Sequence, residues 1–140
     1  MYQSLTFVGR LGRDPEARHM PSGEMVVTFP VATDRGFNDK SGTRQKETTW
    51  FRVTVFGKQA EACNQYLNKG KIVLVEGRLG IDPATGGPKV YATKDGKHGA
   101  SFDVLASDVR FIGGDSAPGD RASTKHDAQS APVNDGDIPF

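Results

Sequence analysis

The segment TTWFRVTVF, residues 48–56, holds the side chains of this chain best suited to chemistry. In an extended strand, alternate side chains point to opposite faces. Phe51, Val53 and Val55 then form one face, of the kind that packs into a core. Trp50, Arg52, Thr54 and Phe56 form the other. Arginine and threonine mark this second face as solvated, yet it carries two large aromatics. Such a face suits the stacking of nucleobases. Every base presents a flat π-surface, each stacked base contributes about 1–3 kcal/mol, and an arginine neutralises phosphate or stacks itself. The competing reading packs Trp50 and Phe56 under a loop or into a subunit interface, as large aromatics are mostly buried. It carries less weight for an aromatic–arginine–aromatic alternation within the strand order set out below.

Other segments repeat the theme more weakly. Phe37 is flanked by Arg35, Lys40, Arg44 and Lys46 in a polar stretch, DRGFNDKSGTRQKE, that reads as a loop able to clamp a strand. Loops also carry solvated charge for no such reason. Tyr91 lies among Lys89, Lys94 and Lys97 in a glycine-rich hairpin region. Arg10 and Arg13 lie near the end of the first strand, with Arg10 on the face opposite Leu5, Phe7 and Leu11. Each basic residue taken singly is ordinary surface charge.

No catalytic constellation is recognisable. There is no P-loop and no HExxH, and His19, His98 and His126 are scattered. GGPKVYATKDGKHG lacks the GK[ST] ending of a phosphate loop. Asp14 and Glu16 flank Pro15, a turn signal, and Asp103 and Asp108 fall on opposite faces of a strand. The chain is expected to be a binding protein rather than an enzyme, with no cofactor and no metal. Cys63 is the sole cysteine, which excludes an internal disulfide and fits a reducing cytoplasm. No apolar run reaches the roughly 20 residues that cross a bilayer, and the N-terminus lacks a basic leader with an apolar stretch. A soluble, cytoplasmic protein without a membrane partner is expected.

The elements that must position these residues are mostly strands. SLTFVGRLG, EMVVTFPVAT and TTWFRVTVF read as three strands, with Pro30 marking a bulge or an edge in the second. KQAEACNQYLNKG reads as a short helix, with Ala60, Cys63, Tyr66 and Leu67 at helical spacing and Gly70 as its stop. KIVLVEGRLGI and SFDVLASDVRFI read as two further strands. Five strands with one helix between the third and fourth is the order of an OB-fold, an all-β, partly open barrel. A five-stranded sheet covered by the helix in another topology has the same order. Glycines 9, 77 and 80 would permit the sharp bending that a barrel needs.

Charge divides the 140 residues unevenly. Residues 1–112 hold 16 basic and 12 acidic residues, a net of +4, and residues 113–140 hold two basic and five acidic, a net of −3. The first part is read as the domain. The second, rich in Gly, Pro, Ser, Asp and Ala, reads as a disordered tail. A basic body points to a polyanion, and an acidic tail to a different partner. The tail ends in DGDIPF, an apolar tripeptide behind Asp135 and Asp137. Pro139 and Phe140 would form an anchor, and the acidic residues would steer it to a basic pocket.

Three segments together, VGRLGRDPEARHMPSGEMVVTFPVAT, ETTWFRVTVFGKQAEACNQYLNKGKIVLVEGRLG and the final DIPF, resemble the bacterial single-stranded DNA-binding proteins. The resemblance covers residues 4–112 and the last six. It implies an OB-fold that assembles as a homotetramer and wraps single-stranded DNA in replication, recombination and repair, in the nucleoid-associated cytoplasm of a bacterium. It places Trp50 and Phe56 at base-stacking positions and Phe37 where many members have tryptophan. Arg52, Lys58 and Lys69 match basic positions near the DNA path. Asp135, Asp137, Ile138, Pro139 and Phe140 match a docking peptide for genome-maintenance proteins. The chain departs from the family in having no tryptophan in the hairpin after the fourth strand, where Tyr91 is the aromatic available, and in having Gly136 within the terminal motif. An RNA-binding OB module shares the same stacking and phosphate chemistry. A replication-restart relative shares the barrel but lacks such a tail.

Overall fold

Alternating apolar residues, interrupted by a single helical repeat, build a closed β-barrel. The computed structural model describes residues 1–113. The elements in chain order are β1 (Leu5–Leu11), β2 (Glu16–His19), β3 (Met25–Asn38), β4 (Arg44–Phe56), α1 (Gly57–Tyr66), β5 (Ile72–Gly80), β6 (Lys89–Ala92) and β7 (His98–Gly113). β1 pairs with β5, β5 with β7, β7 with β4, β4 with β3, and β3 returns to β1. The β4–β7 pairing is parallel and the others are antiparallel. That circuit is the expected five-stranded barrel, with the helix between its third and fourth strands. The short β2 and β6 extend β3 and β7 as hairpins.

The core follows the alternation. Val27, Phe29 and Val31 of β3 meet Val53 and Val55 of β4, Val73 and Val75 of β5, and Val104 and Val109 of β7. α1 closes one end with Ala60 and Cys63, followed by Leu67. Burial pushes the Cys63 thiol up to about 11, so it packs as an apolar group at neutral pH. Tyr66 does not join this stripe; its ring is exposed and lies 6.3 Å from that of Phe111. The helix ends at Tyr66, earlier than Gly70, which adopts a positive φ of 91° in the following turn.

Two glycines allow the barrel to close. A methyl group at Gly9 would lie 2.5 Å from the Ala32 carbonyl oxygen, where β1 leaves β5 and crosses to β3. One at Gly77 would collide with the backbone of Leu105, where the β5–β7 register shifts. Pro30 occupies the gap in β3 between its pairing with β2, which reaches Thr28, and its pairing with β1, which starts at Val31. Its carbonyl accepts from Gly12 N at 3.0 Å. Backbone N and O of one strand residue point to the same side, so the missing N–H falls in that gap and removes no ladder bond.

The segment expected as a loop, residues 34–47, is instead a two-stranded ribbon. β3 and β4 continue in one register from Val26 opposite Phe56 to Asn38 opposite Arg44. The outer half extends beyond the core, so both its faces are polar and the apolar alternation that identifies a strand is absent. Asp39 closes the turn. Its carboxylate accepts from Ser41 Oγ (2.6 Å), Ser41 N (2.9 Å), Thr43 N (2.9 Å) and Gln45 Nε2 (3.1 Å). Asp34 accepts from Thr48 Oγ1 at 2.7 Å and pairs with Lys46 at 3.2 Å.

Phe29 is the largest fully buried side chain. Phe29→Ala should lower the unfolding free energy by about 3–5 kcal/mol in urea denaturation. A loss below about 1 kcal/mol would contradict the assigned core.

The Ser41 hydroxyl and its neighbours hold the Asp39 carboxyl down to about 2, below its ordinary 3.8. A lowered carboxylate stabilises the fold fully above its unfolded value, and that support fades as pH falls through the folded one. Protection of the Ser41 and Thr43 amides, measured relative to their intrinsic exchange rates, should therefore fall between pH 4 and pH 2, and Asp39→Asn should abolish that change in protection. An unchanged dependence in the variant would rule out Asp39 as the cause.

Candidate nucleic-acid interface

Strand pairing builds a row of side chains across the outside of the barrel. Arg10 of β1 is opposite Ala32 of β3, and Ala32 is opposite Trp50 of β4. Paired residues share a face, so Arg10 and Trp50 flank the small Ala32. The Trp50 side chain is 53% exposed and lies on the backbone of Gly12. A methyl group at position 12 would stand 2.5 Å from its Cζ3 and 2.7 Å from its Cη2. The absence of a side chain at Gly12 thus lets the indole rest on the end of β1 with much of its surface open to solvent.

Trp50 lines a groove of about 360 Å³ with Arg52, Arg13, Tyr91 and Phe102, floored in part by Pro30 and Phe51. Tyr91 is held as Trp50 is. It pairs with Gly99 across the β6–β7 hairpin, and a methyl group there would stand 2.7 Å from its Oη. Arg10 Nη1 donates to the Gly70 carbonyl at 2.7 Å, and Lys69 N donates to Asp14 Oδ1 at 2.7 Å. These two bonds tie the turn after α1 to the end of β1 and bring Lys69 to the groove's border. Asp14 and Glu16 also line the groove. Beneath the β7 side, Asp103 is buried, accepts from Ser101 Oγ at 2.6 Å and faces Lys89 Nζ at 3.6 Å.

Trp50, Arg52 and Tyr91 therefore come together, with Arg10 and Lys69 beside them. The remaining candidates lie elsewhere. Phe56 is six residues further along β4, about 20 Å at strand rise, and lines a second hollow of about 440 Å³ with Tyr2, Glu76 and Arg78. Lys58 is exposed in the first turn of α1, just after Phe56. Phe37 and Arg35 occupy the outer ribbon, where the Arg35 guanidinium carbon is 5.9 Å from the Phe37 ring centroid. Asp135, Asp137, Ile138, Pro139 and Phe140 lie outside the described residues.

Phe102 is the groove residue that sequence reasoning missed. Alternation from buried Val104 would turn it inward, yet it is 59% exposed. The β4–β7 register runs unbroken from Phe51 opposite Phe102 to Thr54 opposite Leu105, so Phe102 keeps the Phe51 face and is exposed because it stands at the end of the barrel wall, next to the residues that pair with β6. Among the described residues, no three His, Cys, Asp or Glu side chains come together to hold a metal ion.

Residues 2–112 match the model of the single-strand binding protein family. The single-stranded DNA-binding protein of Neisseria meningitidis serogroup A is 42% identical over 107 residues, covering 76% of this chain and 58% of the relative. Single-stranded DNA-binding protein 1 of Chlorobaculum tepidum is 41% identical over 109 residues, covering 76% and 62%. The chain thus spans about three-fifths of the length of these relatives. Among solved structures, a Plasmodium falciparum SSB in complex with ssDNA superposes with a TM-score of 0.64 at 23% identity, covering 80% of this chain and 96% of that one. A deletion mutant of the single-stranded DNA binding protein from Thermus aquaticus gives 0.61 at 25% identity, covering 78% and 49%.

The seat of Trp50 can be tested without a ligand. Gly12→Val places a branched side chain where the indole lies. The emission of this sole tryptophan should shift in wavelength and lose anisotropy as the ring is lifted, while the far-UV spectrum stays that of the barrel. Identical emission in the variant would contradict the placement.

Proposed function

The chain belongs to the single-strand binding protein family, and on that premise we propose that it binds single-stranded DNA without sequence preference, with Trp50 as the central stacking residue. The observation that carries this reading is the half-exposed indole seated on Gly12 beside Arg52 in an open groove. A base laid on Trp50 covers apolar surface on both partners. The ring is already held in place, so little rotamer freedom is lost on binding. Stacking does not read base edges, which makes the contact tolerant of sequence. Arg52, Arg13, Arg10 and Lys69 neutralise phosphates along this face, and Tyr91 offers a second ring. Asp14 and Glu16 repel phosphate, which favours the backbone on the arginine side and the bases within the groove.

Phe56 with Lys58, and Phe37 with Arg35, would extend the path to two further stations, each an aromatic next to a cation. Their separation from Trp50 fits a strand wrapped over the barrel rather than bound in one pocket. Assembly as a homotetramer is part of the proposal. Among the described residues, no strand pairs with the other edge of β1 from Leu5 to Gly9, and an open strand edge is a template for a second copy. The protein would serve replication, recombination and repair in a bacterial cytoplasm at the nucleoid. Residues 135–140 would recruit genome-maintenance proteins, with Asp135 and Asp137 steering and Ile138, Pro139 and Phe140 anchoring.

Oligo-dT should quench Trp50 emission strongly and duplex DNA weakly. Affinity should fall with salt at a log–log slope of about −0.7 per phosphate neutralised. Unquenched emission at low salt would overturn the stacking role. Trp50→Ala should weaken oligo-dT binding by about 1–3 kcal/mol, measured by titration of a labelled oligonucleotide, with the denaturation midpoint little changed. A collapse of stability would favour a packing role instead. Deletion of residues 135–140 should preserve or slightly tighten oligo-dT binding and abolish partner capture; lost DNA binding would contradict that division.

A further inference from the structure

Phe102 lies on the Phe51 face of β7 at the end of the barrel, where its ring is open to solvent, and its surroundings say what it could do there. It is the Cα partner of Phe51 in the parallel β4–β7 pairing. The two ring centroids are 6.1 Å apart at a 52° tilt, and Phe51 stacks on Phe7 at 4.3 Å and 22°. An aromatic column thus runs from Phe7 through Phe51 and ends in a ring that is 59% exposed. The backbone beneath that ring is held from several directions. Ser101 pairs with Lys89 of β6, and Asp103 is buried and bonded to the Ser101 hydroxyl. A methyl group at Gly80 would stand 2.9 Å from Asp103 Cβ, so β5 lies close behind as well. Phe102 is therefore pinned at its base and backed on one flank. It lines the same groove as Trp50, Arg52 and Tyr91.

We propose that Phe102 is a further stacking residue for single-stranded DNA, forming the wall of the Trp50 groove supplied by β7. The inference rests on the reading of the groove as the DNA site. A phenylalanine has no polar group to offer, so its exposed face gains only from an apolar or π partner. The cations flanking this groove, Arg13 and Arg52, suit a partner that carries negative charge next to flat apolar surface. A nucleotide has both. Because the ring is already backed by Phe51, stacking on it costs little ordering.

The test uses the full chain with Phe102→Ala, Phe102→Leu and Phe102→Tyr. Oligo-dT affinity is read by a labelled oligonucleotide and by Trp50 quenching, and the mass of the DNA-free protein by sedimentation. Phe102→Ala should bind about five- to tenfold more weakly, the low end of what one stacked base contributes. Saturating Trp50 quenching should persist. Phe102→Leu, apolar but without a π-face, should also bind more weakly, and Phe102→Tyr should match the parent. Equal binding by Phe102→Ala and a binding-competent parent would overturn this inference while sparing the proposed function. Failure of the parent itself to bind oligo-dT would overturn both. A lower mass for DNA-free Phe102→Ala would assign the ring to contact between copies and also overturn the inference.

Discussion

The single register that joins β3 to β4, from Val26 opposite Phe56 to Asn38 opposite Arg44, is the constraint on which the rest depends. In the inner half it turns Val27, Phe29, Val31, Val53 and Val55 into the core. The same alternation turns Trp50, Arg52 and Phe56 outward, so the core and the proposed binding face are two consequences of one pairing. A slip by one residue would exchange the faces and bury Arg52 and Thr54 at the cost of valines. In the outer half the ladder continues without a core, supported by the Asp39 turn and by Asp34 with Thr48 and Lys46. Barrel stability and ribbon presentation thus draw on one continuous ladder.

Glycine sets the geometry of the proposed binding face as much as the aromatics do. Trp50 rests on Gly12 and Tyr91 on Gly99, each ring occupying the space that a side chain would fill. A ring resting on backbone is held in orientation yet keeps a face free. That resolves the conflict in a binding aromatic, which must be ordered before its ligand arrives but not buried. Arg44 lies over Gly36 in the same manner on the ribbon, its Nη2 2.9 Å from where a methyl group would stand.

Much of this was legible in the sequence. The strands of the barrel, the helix between its third and fourth, and the wet aromatic face of β4 all follow from periodicity, because each has one buried and one exposed side. The ribbon was not legible, since a strand with two polar faces carries no such period. Phe102 was hidden because it shares the core face of β7 with Val104, and periodicity does not show that the barrel wall ends there and leaves its ring open. Nor could sequence bring Tyr91 to Trp50, a meeting that depends on where the β6–β7 hairpin folds over the barrel. Alternation and the basic flanks singled out Phe56 and Phe37, and the family resemblance alone named Lys58 and Lys69. Their spacing from Trp50 became visible only with the strands in place.

The proposed DNA site depends on a base lying against the open face of one indole. The proton resonances of the Trp50 ring, the only such set in the chain, report this directly. Addition of oligo-dT should move the ring protons upfield through the current of a stacked thymine, with cross-peaks from ring protons to thymine methyl groups. Ring resonances that stay in place at saturating oligo-dT, with no cross-peak to the DNA, would contradict the claim that Trp50 is the centre of the site.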